Sequence, residues 1–183
     1  MISPALQQLY DEHDIILMAA DRLRNMLDSP TPFEEEPAPF EEEPDLSIRS
    51  EELRALLTFF REYADGYHHQ KEEDILFPAL AEANPAMEML TGSLTEHHVL
   101  FREALTNAQA MMETNDWETA RITLRAYIAD LADHISAEND ELFVAAEDML
   151  AESDKERIHF QFLDGDRELG LERKRLFEEE VKG

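Results

Sequence analysis

Apolar residues recur every three or four positions through four long stretches of the chain, the spacing that lines one face of an α-helix. Leu6, Leu9, Ile16, Ala20 and Leu23 mark a first helix, from about Ser3 to Asp28. Ser3 followed by Pro4 is a helix-start signal, and Ser29-Pro30 ends the run. A second helix begins near Ser47 or Ser50 and carries Leu53, Leu57, Phe60, Ala64, Ile75, Leu76 and Ala79 inward, with Pro78 expected to kink its last turns. After Asn84-Pro85 a third helix, about Ala86 to Thr114, is expected to bury Leu90, Leu94, Leu100, Ala104, Ala108 and Met111. Asn115-Asp116 breaks the pattern before a fourth, about Trp117 to Leu150, with Leu124, Ile128, Leu131, Leu142, Ala145 and Met149 on one stripe. Almost nothing reads as strand. The pattern predicts an all-α protein, an up-down-up-down four-helix bundle with an additional C-terminal helical segment.

Two stretches stand apart from the four. Residues 29–46 hold Pro-Phe-Glu-Glu-Glu-Pro-Ala followed at once by Pro-Phe-Glu-Glu-Glu-Pro-Asp, too rich in proline and charge to enter a core, and are expected to form a solvated connection. Residues 153–183 look helical but are interrupted at Asp164-Gly165 and Gly170. Shorter pieces, packed outside a bundle formed by residues 1–152 or used to form a homo-oligomer, are expected there.

Composition narrows the chemistry. With 43 acidic and 16 basic residues the 183-residue chain carries a formal charge of −27, which repels phosphate backbones and anionic lipid, so neither nucleic acid nor membrane is an expected partner. It has no cysteine, which excludes disulfides, thiolate catalysis, iron–sulfur clusters and thiolate-ligated zinc. Without a long apolar span or signal-peptide pattern, the expected location is cytoplasmic.

His68-x-x-x-Glu72 and His134-x-x-x-Glu138 fall inside the second and fourth helices, where residues four apart stack on one face. Each pair is in register with its apolar stripe, and His13 and His97 stand on the first and third helices. At about 1.5 Å per residue, the four histidines come within about a turn of one level. Two buried carboxylates need compensating positive charge, no Lys or Arg lies obviously on the stripes, and a pair of divalent metals would supply it. His13, His68, Glu72, His97, His134 and Glu138 are therefore the candidate ligands. Imidazole and bridging carboxylate without thiolate suit two iron ions, with manganese possible. A shared oxo or hydroxo bridge would leave about two of roughly twelve octahedral positions open. His69 and His98 each lie about 100° of helix rotation from a proposed ligand and are expected at the surface or as outer partners, although a register using His98 in place of His97 remains open. Glu73 is expected to face solvent, and Tyr63, Tyr67 and Tyr127 to serve in packing.

A weak internal repeat ties the helices into two similar pairs. Glu12-His13 resembles Glu96-His97, and His68-x-x-x-Glu72-x-x-x-Leu76-Phe77 resembles His134-x-x-x-Glu138-x-x-x-Leu142-Phe143. These residues, with His68-His69-Gln70-Lys71-Glu72-Glu73-Asp74-Ile75-Leu76-Phe77-Pro78, resemble the motifs of the hemerythrin-like, or HHE cation-binding, family over residues 1 to about 150. The resemblance implies a bundle holding a non-haem di-iron centre bridged by Glu72 and Glu138. Oxygen-carrying members have a fifth histidine one turn after the third-helix histidine; here that place is Phe101. The chain instead resembles the four-histidine, two-glutamate branch, which includes proteins associated with nitric oxide and with iron–sulfur cluster repair. It has no cysteine for the segment that the repair proteins usually carry.

The expected function is binding or sensing of a small diatomic ligand, dioxygen or nitric oxide, at the metal pair. The alternatives are an enzyme reducing nitric oxide or peroxide there, and iron storage or delivery.

Overall fold

The computed structural model describes residues 2–28 and 46–182, with side chains from Glu51 onward in the second segment. The proline-rich tandem repeat lies outside the described residues. Helix α1 spans Pro4–Asp28. Helix α2 runs continuously over 46–83, with π-helical turns at Phe60–His69 and Glu72–Leu76. Helix α3 spans Glu88–Glu113 and is entered through a short 3-10 turn, Pro85–Met87. Helix α4 covers 117–149 with a π-helical turn at Glu138–Leu142. Helices α5 (Glu152–Leu169) and α6 (Leu171–Lys182) form the C-terminal segment, and no strand occurs among the described residues.

Local chemistry sets most of the boundaries. Asn84 Oδ1 accepts from Ala86 N, and the Asp116 carboxylate caps α4 by accepting from Thr119 N. Pro78 stands in the first turn of the α-helical segment after the second π turn, where a missing N–H is tolerated. Ser3 does not cap α1 with its hydroxyl, which has no hydrogen-bond partner; its N–H donates instead to Glu147 Oε2 at 2.9 Å. Helix α5 passes through Asp164-Gly165 without a break and ends only at Gly170, whose φ of 91° suits a residue without Cβ. Phe162 and Asp166, buried on either side of Gly165, hold that turn against the bundle, which offsets the ~1 kcal/mol that glycine costs a helix.

The apolar side chains divide into two clusters, and every bundle helix passes from one to the other. One cluster holds Leu6, Leu9, Leu76, Leu80, Leu94, Leu142 and Phe143. The other holds Ile16, Leu23, Phe60, Tyr63, Phe101, Leu105, Leu124 and Leu131. The order in which each helix meets them alternates, so α1 to α4 run up, down, up, down. Helix α5 adds Ile158 and Phe162 to the first cluster and α6 adds Phe177 and Val181 to the second, so the C-terminal segment is continuous with the bundle core. Between the clusters each helix carries polar residues: His13 between Leu9 and Ile16, His68 to Glu72 between Tyr67 and Leu76, His98 between Leu94 and Phe101, and Glu138 between Ile135 and Leu142.

Candidate metal centre

That middle layer is a set of seven buried side chains: His13, His68, His69, Glu72, His98, His134 and Glu138. They form two groups, each with ligand atoms mutually within 4.8 Å and each able to hold a metal ion: His13, His68, Glu72 and Glu138 in one, His69, Glu72, His98 and His134 in the other. Glu72 belongs to both. Its Oε1 lies 3.5 Å from His68 Nε2 and 3.9 Å from His13 Nε2, while its Oε2 lies 3.7 Å from His98 Nε2. Glu138 Oε2 also faces both groups, 3.4 Å from His13 Nε2 and 3.2 Å from His134 Nε2.

Of the six residues expected from the sequence, five meet here and His97 does not. His97 is exposed on α3, and His98 is buried in its place. The inward face of α3 is Leu94, His98, Phe101, Leu105 and Ala108, a steady alternation of four- and three-residue steps, and Leu100, expected inside, is exposed. The fifth imidazole, His69, also lies away from the surface. Adjacent residues of a regular α-helix point about 100° apart, but His68 and His69 close a π-helical turn, whose widened coil brings both rings inward. His69 stacks on His98 with centroids 3.9 Å apart.

Four of the five rings, all but His69, have Nδ1 within hydrogen-bonding distance of a partner and turn Nε2 inward, where His98 Nε2 and His134 Nε2 lie 2.9 Å apart. His13 Nδ1 donates to Asn139 Oδ1 (2.7 Å), His68 Nδ1 to Glu12 Oε2 (3.0 Å) and His98 Nδ1 to Glu73 Oε1 (2.8 Å). His69 Nδ1 lies 3.5 Å from Asp65 Oδ1, and His134 Nδ1 is 3.4 Å from His97 Nδ1. His97 is thus an outer partner of a candidate ligand, and Glu73, expected to face solvent, is another.

Behind these partners stand two cations. Lys71 Nζ donates to Glu12 Oε1 (2.6 Å) and to Asp166 Oδ1 (3.0 Å), while Arg102 joins Asp65 (2.7 Å) and Glu73 (2.6 Å). The buried Lys71, which the sequence stripes did not reveal, is engaged with Glu12 and Asp166. Burial pushes the Glu12 carboxyl up, but the His68 hydrogen bond and Lys71 outweigh it and hold it at about 2. Burial holds His68 at about 3 against the pull of Glu12. Burial and the neighbouring Glu138 charge push Glu72 well above the usual carboxylate range.

The centre is polar inside and apolar around. His13 Nε2, His68 Nε2 and all four oxygens of Glu72 and Glu138 are buried without a hydrogen-bond partner. Such orphaned donors and acceptors cost several kcal/mol each unless something binds them. A pair of divalent cations fits: imidazole nitrogens and carboxylate oxygens are its natural donors, and its charge relieves the Glu72–Glu138 repulsion. Phe143 stacks on His13 (5.2 Å between centroids), Phe101 meets His134 edge-on (5.2 Å), and Phe77 lies over His98 (6.0 Å), closing the layer to water.

Among the signals in the sequence, the spacing Leu94, His98, Phe101, Leu105, Ala108 was sufficient to find His98. Glu12, on the Leu9-to-Ile16 stripe, was equally visible as a buried acid. His69 had no such signal, because α-helical periodicity places it outside. Residues 4–146 match the model of the hemerythrin HHE cation binding domain. No curated protein matches the chain.

Proposed function

Because the chain belongs to the hemerythrin HHE cation binding domain family, we propose that it is a non-haem di-iron protein that binds dioxygen or nitric oxide inside the bundle. His13, His68, Glu72 and Glu138 would hold one ion, and His69, Glu72, His98 and His134 the other. The observation that carries this reading is Glu72, whose two buried, unpartnered oxygens face separate sets of imidazoles. Bound there, iron supplies electrons and an open coordination position to a small ligand. The fifth imidazole fills one of the two positions left free in a four-histidine set, leaving room for about one small molecule.

The chain's own residues favour holding a ligand over transforming it. Phe77, Phe101 and Phe143 exclude water. The polar groups next to the candidate ligands are engaged as tethers: the single Tyr67 O–H lies between Glu12 and Asp166 within hydrogen-bonding distance of both, Lys71 is bonded to the same pair, and Asn139 and Glu73 hold rings. None of these is presented as an acid or base toward the interior.

The test is metal analysis with absorption spectroscopy on the full-length protein, followed by stopped-flow mixing of the reduced form with oxygen or nitric oxide. A spectrally distinct, reversible ligand complex and about two irons per chain are expected. His98→Ala should lower iron content strongly, and His97→Ala, which removes only the outer partner of His134, should lower it less. Immediate oxidation without a ligand complex would count against the reading. Turnover of nitric oxide or peroxide above that of free iron would replace it with an enzyme, and ready loss of iron to a chelator with a storage protein.

A further inference from the structure

Two residues joined to the back of the polar layer, Asp166 and Lys174, come from outside the matched region. Glu12 is 2% exposed, and its Oε1 accepts from Lys71 Nζ, Tyr67 OH (2.7 Å) and Gln8 Nε2 (3.1 Å) while its Oε2 holds His68. Lys71, Tyr67 and Gln8 are in turn all bonded to Asp166 of α5. Lys174 of α6 reaches Asp166 Oδ2 at 3.2 Å and comes within 3.9 Å of Glu12 Oε1. Two acids and two lysines thus form a neutral, largely buried cluster, half of it supplied by the C-terminal helices. A buried carboxylate such as Glu12 keeps its charge only while this compensation stays assembled.

We propose that Asp166 is a positioning residue for the ion held by His13, His68, Glu72 and Glu138, and that docking of α5 and α6 is coupled to loading of that position. The inference rests on the two-ion reading above. Asp166 fixes Lys71 and Tyr67, these fix Glu12, and Glu12 sets the orientation and donor strength of His68. Among the described residues the other ion position has no such link. Its tethers, Glu73 and Asp65, converge on Arg102 of α3, inside the matched region. Coupling is reciprocal, so whatever strengthens iron binding at His68 also strengthens docking of the two helices, which makes them the element that reports the state of the centre.

The experiment loads the full-length chain anaerobically with ferrous iron and compares wild type with Asp166→Ala, Asp166→Glu and Lys155→Met. The last variant loosens α5 at its other attachment, the ion pair with Glu147, away from Glu12. In wild type, loading should slow amide hydrogen exchange across 152–182. Asp166→Ala should abolish that slowing and accelerate release of one of the two ions to a chelator by about 10–100-fold, leaving the other release phase unchanged. Asp166→Glu should restore part of both effects, and Lys155→Met should lower thermal stability without separating the two phases. Unchanged release in Asp166→Ala, equal acceleration of both phases, or exchange indifferent to iron in a wild type that binds two ions would overturn the inference. A wild type that binds no iron would instead remove the reading beneath it.

Discussion

His68 and His98 do the same work on opposite sides of Glu72, yet the acids behind them live in different surroundings. Glu12 is almost fully buried and is matched by Lys71 at 3% exposure, whereas Glu73 is 23% exposed and pairs with Arg102 at 38%. Burial decides what each tether needs. A carboxylate within reach of water is partly stabilised by solvent and needs its cation little. One cut off from water depends on its cation entirely, and loses its charge or its fold without it. The first half of the centre is therefore the more exactingly built, and the half that the C-terminal helices complete.

The largest effect should come from the residue the halves share. On the di-iron reading proposed above, Glu72→Ala should reduce bound iron from about two per chain to less than one, by metal analysis, because it removes a donor from both groups. Retention of one tightly held ion would mean that the halves are independent. The next test separates them. Lys71→Met should lower unfolding free energy by about 3–5 kcal/mol, since it removes the buried cation of Glu12 and leaves Lys174 alone against two acids, while Arg102→Met should cost under about 1 kcal/mol in the same urea titration. Equal costs would erase the contrast drawn here.

Acid should weaken the metal-free protein through both halves. Burial lowers His68, His69 and His98 below the ordinary imidazole value of 6.5, so between that pH and their folded values the unfolded chain binds protons that the folded chain refuses. Stability is then greatest above 6.5 and falls as pH drops towards about 3, with Glu12 adding a further loss between 4.5 and about 2. Glu72, raised by burial, acts in the opposite sense above 4.5, one group against three. The urea midpoint should therefore be lower near pH 5 than near pH 7.5, and a higher one would contradict the burial of the rings. The smallest effect belongs to Gly165. A Cβ there would lie 3.5 Å from Lys71 Cε, an ordinary contact, so Gly165→Ala should stabilise the chain by about 0.4–1 kcal/mol.

The all-α bundle was legible because its signals are local. Leu6, Leu9, Ile16, Ala20 and Leu23 are all buried as their spacing predicts, and Asn84-Pro85 and Asn115-Asp116 separate helices where expected. The buried cluster was legible where candidate ligands sit four apart on one helix. On α3 the likeness of Glu96-His97 to Glu12-His13 pointed to His97, with His98 as the alternative register, and the buried histidine is His98, which the spacing through Leu94 and Phe101 favours. The π turns hid the rest. Each adds a residue to the coil, so stripes projected through it drift: in α4 beyond Glu138–Leu142 the buried positions are Phe143, Ala146 and Leu150, while Met149, expected inside, is exposed. Long-range partners such as Asp166 leave no periodic trace, because their place depends on how α5 docks and not on its own pattern.

The tethering of four of the five imidazoles by Nδ1 has a consequence for how the chain would meet a metal. The rings are braced from behind before anything arrives, so little ordering remains to be done on loading. In small zinc modules the ion gathers a floppy peptide around itself and dictates its shape. Here most of the donors are already braced, so a protein stripped of its metal would be expected to refill without refolding.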